Sequence, residues 1–254
     1  MSLMAEAISE RQVGRRFDIQ RMFSTLFHPR QAFEVIKTEA RASWLTPMFM
    51  LSLTALLVVL VSGYLKTQAA MMGEVPFPPG WEYWTPDMQN NYMQAQQLNQ
   101  GTVVMYVFPL VNAWARLWVG WVVLAGLLHL GSTLLGGRGS MQSALNVTAW
   151  ALIPFALRDI LRILYMLITK HAITSPGISG FATSVFMVEI FSRTDIFLVW
   201  SIILLMVGFA VVDGLTRSKA VLGVLLIMLI ILSAQAGVGT MLANFGGAAT
   251  QRPF

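Results

Sequence analysis

The sequence contains no cysteine among its 254 residues. Disulfide bonds, thiolate metal sites and cysteine nucleophiles are therefore excluded. Histidine is scarce as well, because His28, His129 and His171 are the only three and lie far apart in the chain. A metal site built from them would require folding to unite three separate regions, so isolated histidines are favoured. We predict no metal and no cofactor.

Charged residues are also scarce. Charged residues make up 11% of the chain and hydrophobic residues 56%, whereas soluble domains carry roughly 25% charged residues. A soluble core is too small to hide this much apolar surface, so the composition indicates an integral membrane protein. The net charge of +5 is explained by basic residues that orient membrane segments, and no nucleic-acid partner is predicted.

Five apolar stretches are long enough to cross the hydrocarbon core of a bilayer, which takes about 20 helical residues. The predicted fold is an all-α integral membrane protein with a cytoplasmic amphipathic helix before the spans and a short helix in an outer loop. The five transmembrane helices of the predicted bundle lie at about residues 44–65, 104–134, 144–169, 194–215 and 219–243.

Lysine and arginine residues orient these spans. The segments predicted to be inside, 1–43, 136–143 and 216–219, carry seven, one and two basic residues, whereas the outer segments carry four. Because basic loops stay on the cytoplasmic side, the N-terminus is predicted inside and the C-terminus outside. The predicted organisation is a cytoplasmic segment 1–43, a membrane domain 44–243 with an outer loop 66–101, and an outer tail 244–254.

Residues 29–41 predict the amphipathic helix. Pro29 suits a first helical position, and Ala32, Phe33 and Ile36 fall on one apolar stripe among charged residues. Such a helix lies on the inner membrane surface or against the bundle. The alternative is a docking helix for a cytosolic partner, in which Phe33 and Ile36 are the candidate contacts.

The outer loop contains a cluster of aromatic residues. Trp81 and Trp84 precede a helix that Thr85 caps and Pro86 opens, and Tyr92 lies on the apolar stripe of that helix. Trp81, Trp84 and Tyr92 are candidate contacts for a partner outside the membrane. The alternative is an interfacial anchor, the usual role of Trp and Tyr at a membrane boundary.

The third span carries Arg158, Asp159 and Arg162 within an apolar run. An unpaired charge in the membrane costs roughly 2.5 to 3.5 kcal/mol on the insertion scale, so these side chains must face protein, water or each other. On a helix, Asp159 reaches Arg162 at i, i+3, while Arg158 and Arg162 share a face, so one arginine needs a partner from elsewhere in the chain.

Arg116 in the second span lies at the same depth as Asp159, about 12 to 13 Å inside at about 1.5 Å per residue. We therefore predict an Arg116–Asp159 salt bridge, with Arg162 close enough to share it. The buried polar network of Arg116, Arg158, Asp159 and Arg162 either fixes the register of the helices or marks an ion or substrate path.

Catalytic signatures are missing from the sequence. It has no paired-aspartate GxGD and no HExxH, and its one GxSG tetrapeptide, GISG at 177–180, lies in the loop after the third span and not in a predicted span. Asp195 and Asp213 lie near opposite ends of the fourth span, too far apart to share a proton. The glycine-rich turn at 136–139 lacks the Walker spacing. We therefore predict no enzymatic activity.

Three stretches together resemble the Yip family of five-span membrane proteins, which is named for interaction with Rab-type GTPases. They are LFHPRQAFEVIK at 26–37, GGRGSMQSALNVTAWALIP at 136–154 and DIFLVWSIILLMVGFAVVDGLTRSKA at 195–220. The short N-terminal region resembles the bacterial branch, for which the resemblance implies the inner membrane, no Rab partner and an association with exporter complexes. It assigns no chemical role to any residue.

The functional hypothesis is a non-catalytic accessory or scaffold subunit of an ABC-type export complex. Its expected partners are membrane lipid and other membrane proteins, either an exporter permease and ATPase or further copies of the chain. The alternative hypothesis is a small oligomeric channel or carrier that uses the Arg/Asp network.

Overall fold

The structure, a computed structural model, describes residues 18–38, 41–73, 77–78, 80–173, 179–182 and 184–250. Residues 1–17 of the predicted cytoplasmic segment and 251–254 of the predicted outer tail lie outside this part. The described helices, in chain order, are α1 (Ile19–Phe27), α2 (Pro29–Thr38), α3 (Leu45–Met71), α4 (Pro86–Asn99), α5 (Phe108–Leu134), α6 (Met141–Ala151), α7 (Ile153–Thr169), α8 (Val185–Arg193), α9 (Ile196–Val212) and α10 (Arg217–Thr250).

Several of these helices are long and apolar enough to cross a membrane. Among the described residues, three qualify alone: Leu45–Met71, Val103–Leu134 and Arg217–Met241. A fourth candidate joins α8 and α9, which meet at a bend of 62° and form a broken span or a re-entrant loop. The chain is therefore a helical, multi-pass membrane protein, and the predicted first, second and fifth spans each coincide with one of these helices.

The third predicted span is two helices rather than one. The chain breaks at Leu152, and Pro154 lies in the first turn of α7. Proline has no N–H to donate, and the first helical turn is where that loss costs nothing. Pro154 therefore marks the start of a helix within the predicted third span.

Helix α6 is a central element of the bundle. Ser140 and Ser143 form a capping box at its start, and the Asn146 side chain accepts from the Ser43 N–H at 2.9 Å. The indole of Trp150 donates to the Ser43 hydroxyl at 3.2 Å and is fully buried. These bonds fix the entry of the chain into α3 against α6.

The largest core cluster joins α2, α6, α9 and α10. Phe33 and Ile36 are 0% and 1% exposed and pack with Trp150, Leu205 and Phe209. Helix α2 therefore lies against the bundle, which is one of the two placements expected for the amphipathic helix. The docking alternative for Phe33 and Ile36 is corrected by this burial, because neither side chain reaches the surface.

Candidate functional site

Four charged side chains meet where α7 faces the start of α9, and we name Arg158, Asp159, Arg162 and Asp195 the Arg/Asp quartet. The Arg158 guanidinium lies 3.3 Å from the Asp159 carboxylate and 3.5 Å from that of Asp195. The Arg162 guanidinium lies 4.0 Å from Asp159 and 3.9 Å from Asp195. Each arginine is thus shared by two carboxylates, and the formal charges of the quartet balance.

Local structure orients the members of the quartet. Asp195 is the N-cap of α9, and its Oδ1 accepts from the Leu198 N–H at 2.9 Å. Its Oδ2 is the oxygen that faces both arginines. The Arg158 guanidinium also stacks 4.6 Å from the centre of the Phe155 ring, a cation–π contact that holds it on the α7 face.

The break between α8 and α9 places Asp195 at the quartet. The two helices meet at 62°, and α9 begins at Ile196, so its N-cap residue Asp195 lies beside the arginines of α7. The four side chains keep only 13 to 25% of their surface exposed. The quartet is therefore a part-buried electrostatic link between α7 and α9.

Arg116 is not part of this link. It lies on the exposed face of α5, and within the described part of the chain the ion pairs of Asp159 go to Arg158 and Arg162. The physical reason is that α3 packs against both α5 and α7, so the helix of Arg116 is not the direct neighbour of α7. The predicted Arg116–Asp159 pairing is corrected, and Asp195 is the partner from another helix.

Asp195 carries a signal that could have identified it. The sequence leaves one arginine of the third span in need of an acid, and Asp195 is the acid that begins the next apolar run. Asp is also among the preferred N-cap residues, which favours a helix start at this position. The prediction chose Arg116 because Arg116 and Asp159 lie at the same depth. That choice assumed that the second and third spans are straight and adjacent.

A second polar cluster lies at the opposite end of α9. Asp213 follows this helix, is 4% exposed, and its Oδ2 accepts a hydrogen bond from the Ser132 hydroxyl of α5. Its backbone carbonyl accepts from the Arg138 N–H at 3.1 Å. Burial raises the pKa of the Asp213 carboxyl, against the opposing effects of the Ser132 hydrogen bond and the nearby His129.

The glycine-rich turn at 136–139 passes close to the Asp213 side chain. A Cβ on Gly139 would collide with the Asp213 carboxylate, and one on Gly137 would collide with the Ser132 hydroxyl. The turn also borders an open pocket of about 490 Å³, which Lys37, Arg138 and polar residues of the α6 start line. The glycine-rich turn is therefore a connection between two helices, α5 and α6, that wraps around Asp213.

The aromatic residues of the predicted outer loop form one cluster. Trp81 and Trp84 lie 5.4 and 5.7 Å, centroid to centroid, from the Tyr92 ring, and Phe77 stacks on Trp81 at 4.7 Å. These rings largely pack on each other. Tyr83, which lies between the two tryptophans in the chain, is 88% exposed.

Within the residues that the structure describes, no group of three or more His, Asp or Glu side chains is arranged to hold a metal ion. The arrangement offers charge pairing, helix capping and close packing. The geometry thus defines a multi-pass helical membrane protein in which the charges of the Arg/Asp quartet are paired with one another.

The family profile of the Yip1 domain matches residues 23–238. This match runs from within α1 to the last candidate span and includes both polar clusters. The chain belongs to the Yip1 domain family. Comparison with curated proteins and with solved structures gave no significant match.

Proposed function

We propose that this protein is a non-catalytic accessory or scaffold subunit associated with an ABC-type export complex of a bacterial inner membrane. The observation that carries the proposal is the charge balance of the Arg/Asp quartet. Both arginines have two carboxylates within 4.0 Å, so the charges are used to join α7 to α9. Buried ion pairs are well attested as devices that fix register.

The proposal includes a topology of five crossings. Helices α6 and α7 together make the third crossing, and α8 with α9 makes the fourth. The N-terminus is then cytoplasmic and the C-terminus outside, as the basic residues of the loops favour. On this arrangement the pocket lined by Lys37 and Arg138 faces the cytoplasm, and the loop 66–101 lies outside.

The outer loop is the proposed contact with the export complex. Trp81, Trp84 and Tyr92 support one another through ring contacts, and Tyr83, between the two tryptophans in the chain, is exposed. Tyrosine and tryptophan are enriched in protein interfaces because they bury a large area with few rotatable bonds. Any nucleotide hydrolysis comes from the partner, since the sequence has no Walker motif.

Affinity purification in mild detergent followed by mass spectrometry tests this proposal. Stoichiometric recovery of an ATPase and a permease is the expected result. Tyr83→Ser should reduce that recovery. The matched control is Tyr165→Ser, the same substitution at an exposed tyrosine of α7, which should leave the recovery unchanged. Purification of the chain alone, as a clean homo-oligomer, would contradict the accessory role.

The second candidate function is a small oligomeric channel or carrier. The break between α8 and α9 favours it, because transporters place ion and substrate sites at broken helices. Here the break lies directly beside the Arg/Asp quartet. Conductance of the purified protein in planar bilayers, lost on Arg158→Ala or Arg162→Ala, would establish this function in place of the scaffold.

A further inference from the structure

Helix α1 exposes a row of large apolar side chains. Ile19, Phe23 and Phe27 recur at i, i+4 and i+8, so they lie on one face, and they are 61%, 64% and 67% exposed. The opposite face packs inward, because Thr25 is buried and Met22 packs against the core. We name these three residues the α1 stripe.

The neighbouring helix shows that this exposure is specific to α1. Helices α1 and α2 follow one another across His28, and the exposed positions of α2 are mostly polar, including Arg30, Gln31 and Glu34. Arg30 and Glu34 pair with each other at 3.3 Å while remaining 70% and 57% exposed, as expected of a face in water. The exposed faces of these two consecutive helices therefore lie in two different environments.

The position of α1 identifies its apolar environment. The Asp18 N–H at the start of α1 donates to the Thr46 hydroxyl in the first turn of α3 at 3.1 Å. In that same part of α3, Leu45 and Phe49 are 40% and 51% exposed, and α3 is a candidate span. The α1 stripe thus begins at the depth where α3 enters the membrane.

We propose that α1 is an interfacial helix whose stripe inserts among the acyl chains of the leaflet where α3 begins. Amphipathic helices lie in this way, with the apolar face at the boundary of headgroups and acyl chains. A second protein is a poorer occupant, because three side chains offer far less than the roughly 800 Å² per partner of a standard interface. The lipid surface around α3 is continuous with the stripe.

Nitroxide accessibility tests the insertion, since the cysteine-free chain permits single labels. Phe23→Cys and Phe27→Cys would each be labelled in nanodiscs of phosphatidylcholine and phosphatidylglycerol, and collision with oxygen compared with collision with a water-soluble nickel chelate. Gln31→Cys on α2 is the water control, and Leu57→Cys, 41% exposed on α3, is the lipid control. Only variants that elute as monodisperse protein are compared.

Both stripe labels should show an oxygen-to-nickel ratio several-fold above that of the Gln31 label and approaching that of the Leu57 label. A ratio equal to that of the Gln31 label would place the stripe in water and overturn the proposal. Low collision rates with both reagents would mean that protein covers the stripe, through a second copy or another part of the chain, and would overturn it equally.

Discussion

Removing one charge from the Arg/Asp quartet tests whether it joins α7 to α9. Asp195→Asn is the sharpest change, because asparagine is also a good N-cap and can keep the bond to the Leu198 N–H. The substitution therefore removes the charge that Arg158 and Arg162 share while retaining the start of α9. A loss of stability then reports the ion pairs and not the cap.

The expected magnitude follows from the distances. Unit charges 3.5 Å apart, as in the Arg158–Asp195 pair, attract by about 5 kcal/mol at an effective dielectric constant of about 20. Desolvation opposes most of this attraction, since the side chains are 14 to 23% exposed. We expect a coupling energy of about 1 to 2 kcal/mol between Arg158→Gln and Asp195→Asn, within the range for contacting pairs.

A double-mutant cycle on unfolding of the purified protein in mild detergent measures this coupling. The matched control is the exposed Arg30–Glu34 pair, for which neutral substitutions should couple by about 0.5 kcal/mol or less. An Arg116→Gln, Asp159→Asn cycle should show no coupling. The reasoning is refuted if the quartet couples no more strongly than the Arg30–Glu34 control.

Three further predictions concern the turn around Asp213 and the topology. Gly139→Ala should lower the free energy of unfolding by about 1 to 3 kcal/mol through overpacking against Asp213, whereas Gly120→Ala, which meets nothing within 4 Å, should be neutral or stabilising by up to about 1 kcal/mol. Because the folded-state pKa of Asp213 is raised above the ordinary value of 3.8, its protonation stabilises the fold fully below that value, and this contribution is lost as the pH rises through the folded-state pKa. Unfolding titrations should show Asp213→Asn flat across that window relative to the unsubstituted chain, and an identical pH dependence of the two would remove Asp213 as its source. An impermeant thiol reagent on intact cells, or on spheroplasts where there is an outer membrane, should label Gln96→Cys and Thr250→Cys and spare Ser9→Cys, and labelling at position 9 would reverse the topology.

Apolar length predicted the long spans well. The expected spans 44–65, 104–134 and 219–243 correspond to Leu45–Met71, Val103–Leu134 and Arg217–Met241. Such stretches need no partner to be recognised, because the bilayer forces their backbone groups to pair internally. The membrane class and these crossings were therefore accessible from composition and segment length.

Breaks within apolar segments were harder to predict. Hydropathy is averaged over a window, so it does not register the break at Leu152, whereas the predicted start of the fourth span at 194 lies close to the observed start of α9 at Ile196. Pro154 and the N-cap preference of Asp195 were the local signals for these two boundaries. The wrong partner for Asp159 came from treating the second and third spans as direct neighbours, whereas α3 packs against both α5 and α7.

The amphipathic pattern before the first span predicted α2 but not α1. Phe33 and Ile36 satisfied the pattern because α2 packs against the bundle. Helix α1 was missed because its nine residues are short, and its exposed face is apolar. Which apolar face contacts the bundle and which contacts lipid depends on tertiary packing, and periodicity alone carries no such information.

Ion flux through proteoliposomes tests most directly the central claim that the quartet joins helices and does not conduct. Purified protein in sealed vesicles would be assayed for voltage-driven flux beside empty vesicles, with Asp195→Asn and Arg158→Gln as variants. The scaffold account predicts no flux above empty vesicles for any of the three proteins, while both variants lose stability. Flux that the unsubstituted protein supports, and that well-folded Asp195→Asn abolishes, would contradict it.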